Sequence, residues 1–319
     1  MPVRNTILDL FPVELLAMIK EYIPQGQLMT HINFYLSFPP VTPSLYGNDE
    51  QQELFWEKAC AQAGLGYRQR ELNNMQQVSW RRVVWEEIVN HLECDHVECG
   101  QGLLQFVSDA MESQITIDLN DCTRTDFFSV IPDSPDKFSN GTIVNPVLGF
   151  IHFPDKLPGI NVFQFFERDM YLYDPKKKVQ DPARQLLDLH PIAARSWATF
   201  PPSRRVLLSG TYHNQPLVVE NVFGVTVWDV HLTLQRMLED ELSAKQLQQL
   251  LDGNDYRSVF PPECDFLTLM GSLTTLRQFL TFYRIKEIEF VDWDVSGLHL
   301  CCNFEPIRKA NPKTKGYIY

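Results

Sequence analysis

Over the first hundred residues, apolar positions recur with a helical period and polar residues fill the gaps between them. Pro12-Val-Glu-Leu-Leu-Ala-Met-Ile-Lys-Glu-Tyr-Ile23 predicts a short amphipathic helix: Leu15, Leu16, Ile19, Tyr22 and Ile23 fall on one face. Pro12 suits the first helical position, where its missing N–H has no partner to lose, and Pro24 ends the run. A second helix is expected over 26–37, stopped by Pro39-Pro40, and 40–50 reads as a loop of turn-forming residues. Helices over Glu53–Ala63, closed by Gly64, and over Trp80–Leu92 follow. In the last of these, Trp80, Val83, Val84, Ile88 and Leu92 form the inward stripe. Arg81, Arg82, Glu86 and Glu87 are expected to face water.

The pattern changes after Gly102. Ile115–Leu119 alternates as a strand does, 122–146 is rich in turn residues, and apolar runs follow at 147–153, 162–166 and 170–173. The proline-rich stretch 174–204 reads as extended loop. Strands are expected at Val206–Leu208 and Leu217–Val219, before a turn at Asn221–Gly224. Thr226-Val-Trp-Asp229 has the form of a capping box and opens a helix with Val227, Val230, Leu234, Met237 and Leu238 on its apolar side. Helices over Ser243–Leu251 and Leu273–Tyr283, then a hairpin of Glu287–Val291 and Leu298–Phe304, complete the chain. The pattern predicts an α+β protein in three parts: a helical region 1–65, a helical connector 66–104, and an α+β domain 105–319.

Composition narrows the function. With 319 residues, 44% of them hydrophobic, the chain can bury a substantial core. A formal charge of −12 and a pI near 5.1 oppose binding to polyanions. Lys176-Lys177-Lys178 is the one compact basic cluster, so nucleic acid and membrane surfaces are not expected partners. Charged residues interrupt the first thirty positions, which argues against a secretory signal. Seven scattered cysteines do not suggest a disulfide framework, so reduced thiols in cytoplasm or nucleus are expected.

Leu10-Phe11-Pro12-Val13-Glu14-Leu15-Leu16, with Ile19 and Ile23, resembles the opening of an F-box. Leu54-Phe55-Trp56-Glu57-Lys58-Ala59-Cys60 resembles its aromatic-rich third helix. Between them, 27–36 keeps apolar spacing but lacks the Val-Cys pair usual in that family, and 40–52 resembles an insertion. Further segments are similar to F-box-like proteins of basidiomycete fungi: Gly64-Leu65-Gly66, Ser79-Trp80, Leu189-His190-Pro191-Ile192-Ala193, Phe200-Pro201-Pro202 and Gly224–Val230. The resemblance implies docking to the Skp-type adaptor of a cullin–RING ubiquitin ligase through Leu10, Pro12, Leu15, Leu16, Ile19 and Ile23, with a protein target bound by the later half. An alternative is that these aliphatics are internal core and the chain is an interaction domain with a degenerate F-box.

Candidate chemistry is sparse. His91-x-x-Cys94-x-His96-x-x-Cys99 collects four metal-capable side chains in nine residues, in a spacing that matches no common zinc finger, unless a distant Cys completes a subset. No metal or cofactor is predicted from it. No Gly-x-Ser-x-Gly elbow occurs, and Gly64-Leu65-Gly66 lacks the third glycine and the preceding strand of a dinucleotide loop. His190 and His231 have no partner identifiable in sequence; His190-Pro191 is expected to open an extended segment. Trp228 is a candidate for partial exposure, alongside Trp197, Phe200 and Phe223. The competing class is an enzyme of unknown chemistry in the later half.

Overall fold

The first helix, α1, spans Val13–Tyr22: Pro12 is its N-cap, one position short of the first helical position expected for it, and Pro24 follows the C-cap Ile23. The computed structural model describes residues 12–71, 78–94, 99–114, 141–152, 164–165, 187, 190–210, 216–237, 240–253, 273–279 and 283–306. Helices α2 (Leu28–Ser37), α3 (Thr42–Leu45) and α4 (Asp49–Gln62) follow. The expected loop over 40–50 therefore contains one short helix and the start of another. The reason for the early start is a capping box. Asn48 Oδ1 accepts from the Gln51 amide at 2.9 Å, and Gln51 Oε1 accepts from the Asn48 amide at 2.9 Å. Trp56, fully buried on α4, sits among the rings of Tyr35, Tyr46, Phe55 and Trp85, with centroids 5.1–5.8 Å away.

The next helical run, α5, is continuous but irregular: Trp80–Arg82 is α, Val83–Ile88 widens by a residue per hydrogen bond, and Val89–His91 tightens. Its buried residues are Trp80, Val83, Val84 and Ile88, four of the expected stripe; the fifth, Leu92, follows the helix and is half-buried. Helix α6 (Gly100–Gln114) was not legible; it runs through the boundary placed at 105. The strand expected at 115–119 lies outside the described residues.

The later half supplies the sheets. β1 (Ile143–Val144) pairs antiparallel with β4 (Thr199–Phe200), and β2 (Ile151–His152) with β3 (Gln164–Phe165). The main sheet has the order β6-β5-β8-β7: β5 (Arg205–Ser209), β6 (Leu217–Glu220), β7 (Tyr283–Asp294) and β8 (Gly297–Pro306). β5 is antiparallel to β6 and parallel to β8, and β7–β8 is the expected hairpin, longer at both ends. Helix α7 (Pro191–Arg195) occupies the stretch read as loop, so His190 begins a helix. α8 (Val227–Met237) starts at the predicted box, with the Thr226 amide 2.9 Å from Asp229 Oδ2 and the Asp229 amide 3.3 Å from Thr226 Oγ1. α9 is Ala244–Gly253 and α10 only Leu276–Phe279, shorter than expected because Tyr283 already belongs to β7. The fold is α+β.

Packing crosses the boundaries expected at 65 and 104. One core runs from Leu16 to Cys302. The chain at 64–66 lies against 195–197: the Gly66 amide donates to the Arg195 carbonyl at 2.8 Å and the Trp197 amide to the Gly64 carbonyl at 3.0 Å. A side chain at Gly66 would come within 2.4 Å of Trp197 Nε1, so only glycine allows this approach. Asn221 Nδ2 donates to the Tyr67 carbonyl at 2.9 Å, and the Gln69 amide to Asp229 Oδ1 at 2.8 Å. A supposed connector is thus the seam of the molecule.

Arg195, 1% exposed, closes that seam. Its Nη1 and Nη2 donate to the two Glu71 oxygens at 2.9 Å each, and its Nε to Glu87 Oε2 at 2.9 Å. Its guanidinium lies 5.6 Å from the Trp80 ring centroid. Arg68 Nε and Nη2 both donate to Glu71 Oε1, at 2.9 Å and 2.6 Å. Glu87, expected to face water, is half-buried because it serves Arg195. Burial alone would raise the Glu71 carboxyl, but Arg195 and Arg68 outweigh it and hold it below the ordinary 4.5. Because the folded state depresses that value, the stabilisation is present above about pH 4.5 and is lost as the pH falls further.

Removing Arg195 takes three guanidinium donors from Glu71 and Glu87 and leaves the mostly buried Glu71 to Arg68 alone. Arg195→Ala is expected to lower unfolding stability by about 3–5 kcal/mol in denaturant titrations. The Arg195–Glu71 contribution, taken by double-mutant cycle, is expected to shrink on acidification below about pH 4.5; an unchanged coupling energy there would contradict the assignment.

Candidate functional site

The face of α1 that points away from the core is apolar. Leu15, Met18, Ile19 and Tyr22 stand at i, i+3, i+4 and i+7 and are 43%, 51%, 42% and 82% exposed. The opposite face is anchored by Leu16, 1% exposed, and by Ile23, packed against the core. Lys20 is drawn to the same inner side, its ammonium 5.2 Å and 5.3 Å from the ring centroids of Tyr46 and Phe55. Burial lowers its pKa. The docking set expected from the sequence is therefore split. Pro12, Leu15 and Ile19 face outward, Leu16 is core, Ile23 is partly covered, and Leu10 lies outside the described residues. Met18 and Tyr22 join the outward face. Met18 was recoverable from its i+3 relation to Leu15, but a helix this short with apolar residues on both sides gives no sequence signal for which face is inward.

A second constellation sits where α5 gives way to α6. Cys94, Cys99 and His190 bring their sulfurs and a ring nitrogen within 4.8 Å of one another, and Cys94 Sγ is 3.6 Å from His190 Nδ1. Both cysteines are free thiols; Cys99 and His190 are buried and Cys94 is half-buried. Gly100 makes the meeting possible. It takes φ +73°, and a side chain there would fall 2.9 Å from the Cys94 carbonyl oxygen, so the chain doubles back at that glycine. Burial raises the Cys99 thiol, and Cys94 beside it raises it further. Of the four metal-capable residues read from the sequence, Cys94 and Cys99 are in this group among the described residues. His91 directs Nδ1 to the Glu87 carbonyl at 2.7 Å instead, and His96 lies outside the described residues. The third member of the group is His190, 96 positions from Cys94; of the distant cysteines, Cys122 and Cys264 lie outside the described residues.

Other expected site residues are structural. Trp228 is 5% exposed, not partly exposed as predicted, with the Arg70 guanidinium 5.0 Å from its ring centroid. Trp197 and Phe200 are fully buried. His231 is buried beside Trp228, and desolvation holds its pKa well below 6.5, so it stays neutral. Of the Cys301-Cys302 pair, Cys302 faces the core, as strand alternation predicts. Asp229 is buried, which raises its pKa, while donors from Thr226, Asn221 and Gln69 oppose the rise. It is a structural knot that joins α8 to the 67–69 segment.

Among the described residues, no helix is long and apolar enough to cross a membrane. No family model matches the chain, and no curated protein or solved structure matches it.

The two faces of α1 predict opposite responses to truncation. Leu16→Ala is expected to destabilise the fold by roughly 2–5 kcal/mol, while Leu15→Ala should stay within about 0.5 kcal/mol of the parent, measured by chemical denaturation. Equal effects would mean that the outward face is covered by the chain itself.

Proposed function

We propose that the chain is an F-box-like protein-binding adaptor in which α1 docks the Skp-type adaptor of a cullin-type ubiquitin ligase and the α+β remainder holds a protein target. The observation that carries this reading is the exposed row Leu15, Met18, Ile19 and Tyr22 on a helix already anchored by its other side. A groove-binding helix needs that arrangement, with anchors at i, i+3, i+4 and i+7 and a support that keeps them in place before the partner arrives. Leu15 and Ile19 belong both to the F-box-like motif and to the outward row. Leu16 serves as the anchor that holds the helix. Burying each exposed aliphatic would contribute on the order of 1–2 kcal/mol at about 25 cal/mol per Å².

The later half supports the second role only in outline. It supplies a body rigidly joined to α1 through the common core, so a target bound there would be held at a fixed distance from the ligase. Catalysis would then reside in the recruited machinery.

Co-purification of the full chain with a fungal Skp-type adaptor tests the docking. Leu15→Asp combined with Ile19→Asp is expected to weaken capture by at least tenfold, about 1.4 kcal/mol, without lowering the thermal midpoint. Leu16 is left intact so that folding and docking are separated. Failure of the parent chain to capture the adaptor, or undiminished capture by the double variant, removes the reading.

A further inference from the structure

We infer that Cys94, Cys99 and His190 form a zinc site that clips the end of α5 to the start of α7. This does not depend on the docking reading, since the three residues lie in a different part of the molecule from the exposed row of α1.

The ligand chemistry is the first argument. Two thiols and one imidazole are soft and borderline donors, which suit Zn²⁺ and disfavour Mg²⁺ and Ca²⁺, whose ligands are hard oxygens. The geometry is the second. Around a tetrahedral zinc, with sulfur at about 2.3 Å and nitrogen at about 2.0–2.1 Å, neighbouring ligand atoms stand roughly 3.5–3.8 Å apart. Cys94 Sγ and His190 Nδ1 are 3.6 Å apart, and all three ligand atoms lie within 4.8 Å. Small rotations of the side chains would complete the coordination without moving the backbone.

Charge balance is the third argument. On binding, each thiol loses its proton to solvent, and two thiolates with a neutral imidazole cancel the charge of Zn²⁺. A neutral assembly suits a position where Cys99 and His190 are buried. Half-buried Cys94 gives the ion a way in and leaves the fourth position to a water.

The role follows from connectivity. Cys94 and His190 are 96 residues apart in the chain, and cross-linking them closes a long loop across the same seam that Arg195 holds at the other end of α7. That cross-link gives the zinc a structural role even with a water in its fourth position, where a fully closed structural site would have a fourth side chain.

Elemental analysis of the full chain, purified under reducing conditions and reloaded with zinc, tests this. One tightly held zinc per folded chain is expected, and cobalt in its place should give a thiolate-to-cobalt charge-transfer band. Cys94→Ala changes the most exposed ligand and is expected to keep the fold. It should weaken zinc binding by more than the roughly 10- to 100-fold that loss of a supporting partner costs. Chelation of the parent chain is expected to lower its thermal midpoint and leave that of Cys94→Ala unmoved. The proposal is overturned by a folded, reduced parent chain that holds less than about one-tenth equivalent of zinc. Equal binding by Cys94→Ala, or a Cys94–Cys99 disulfide that persists in place of metal, overturns it as well.

Discussion

A single buried guanidinium decides how this chain is put together. Arg195 has no route to water, so every one of its nitrogens must find an acceptor within the protein, and Glu71 and Glu87 provide them. That requirement fixes the distance between the helical beginning of the chain and the later half. It also explains why 64–71 and 190–197 run against each other through main-chain hydrogen bonds. The arrangement is costly to break and specific in geometry, because a planar fork can donate to two carboxylates only in certain orientations.

Around this seam the molecule separates what it keeps from what it presents. Aromatic packing about Trp56 and the Asp229 knot are sealed, with burial suppressing the charged forms of His31 and His231. By contrast α1 is held by Leu16 from one side and leaves four apolar side chains in solvent on the other. Isolated exposed aliphatics are ordinary; a contiguous row on a rigidly anchored helix is the feature associated with binding surfaces. The adaptor reading draws its weight from this asymmetry.

Function and stability are placed in different chemistries. The outward row of α1 offers shape and apolar area. The Cys94, Cys99 and His190 group offers soft donors at short range, and its position near one end of α7 with Arg195 at the other suggests a common purpose. Arg195 and the Cys94, Cys99 and His190 group both tie residues between 71 and 99 to a helix of five residues that could not stand alone.

How much of this was legible in the sequence depended on the range of the interaction. Local signals held: the Pro12 and Pro24 limits of α1, the Thr226–Asp229 box, the β7–β8 hairpin, and the α+β class all follow from neighbours within a few residues. Signals carried by partners distant in sequence did not. Glu87 has the spacing of a solvent-facing residue, and only Arg195, 108 positions later, makes it a buried ligand. α7 lies in a proline-rich stretch with no helical period of its own, so packing alone decides it. Cys94 and Cys99 were visible as candidates, but their companion His190 was not, because a ligand set is defined by proximity in space. Which face of α1 turns inward was likewise settled by the surfaces waiting for it: both faces are apolar, and Leu16 found a core while Leu15 and Ile19 did not.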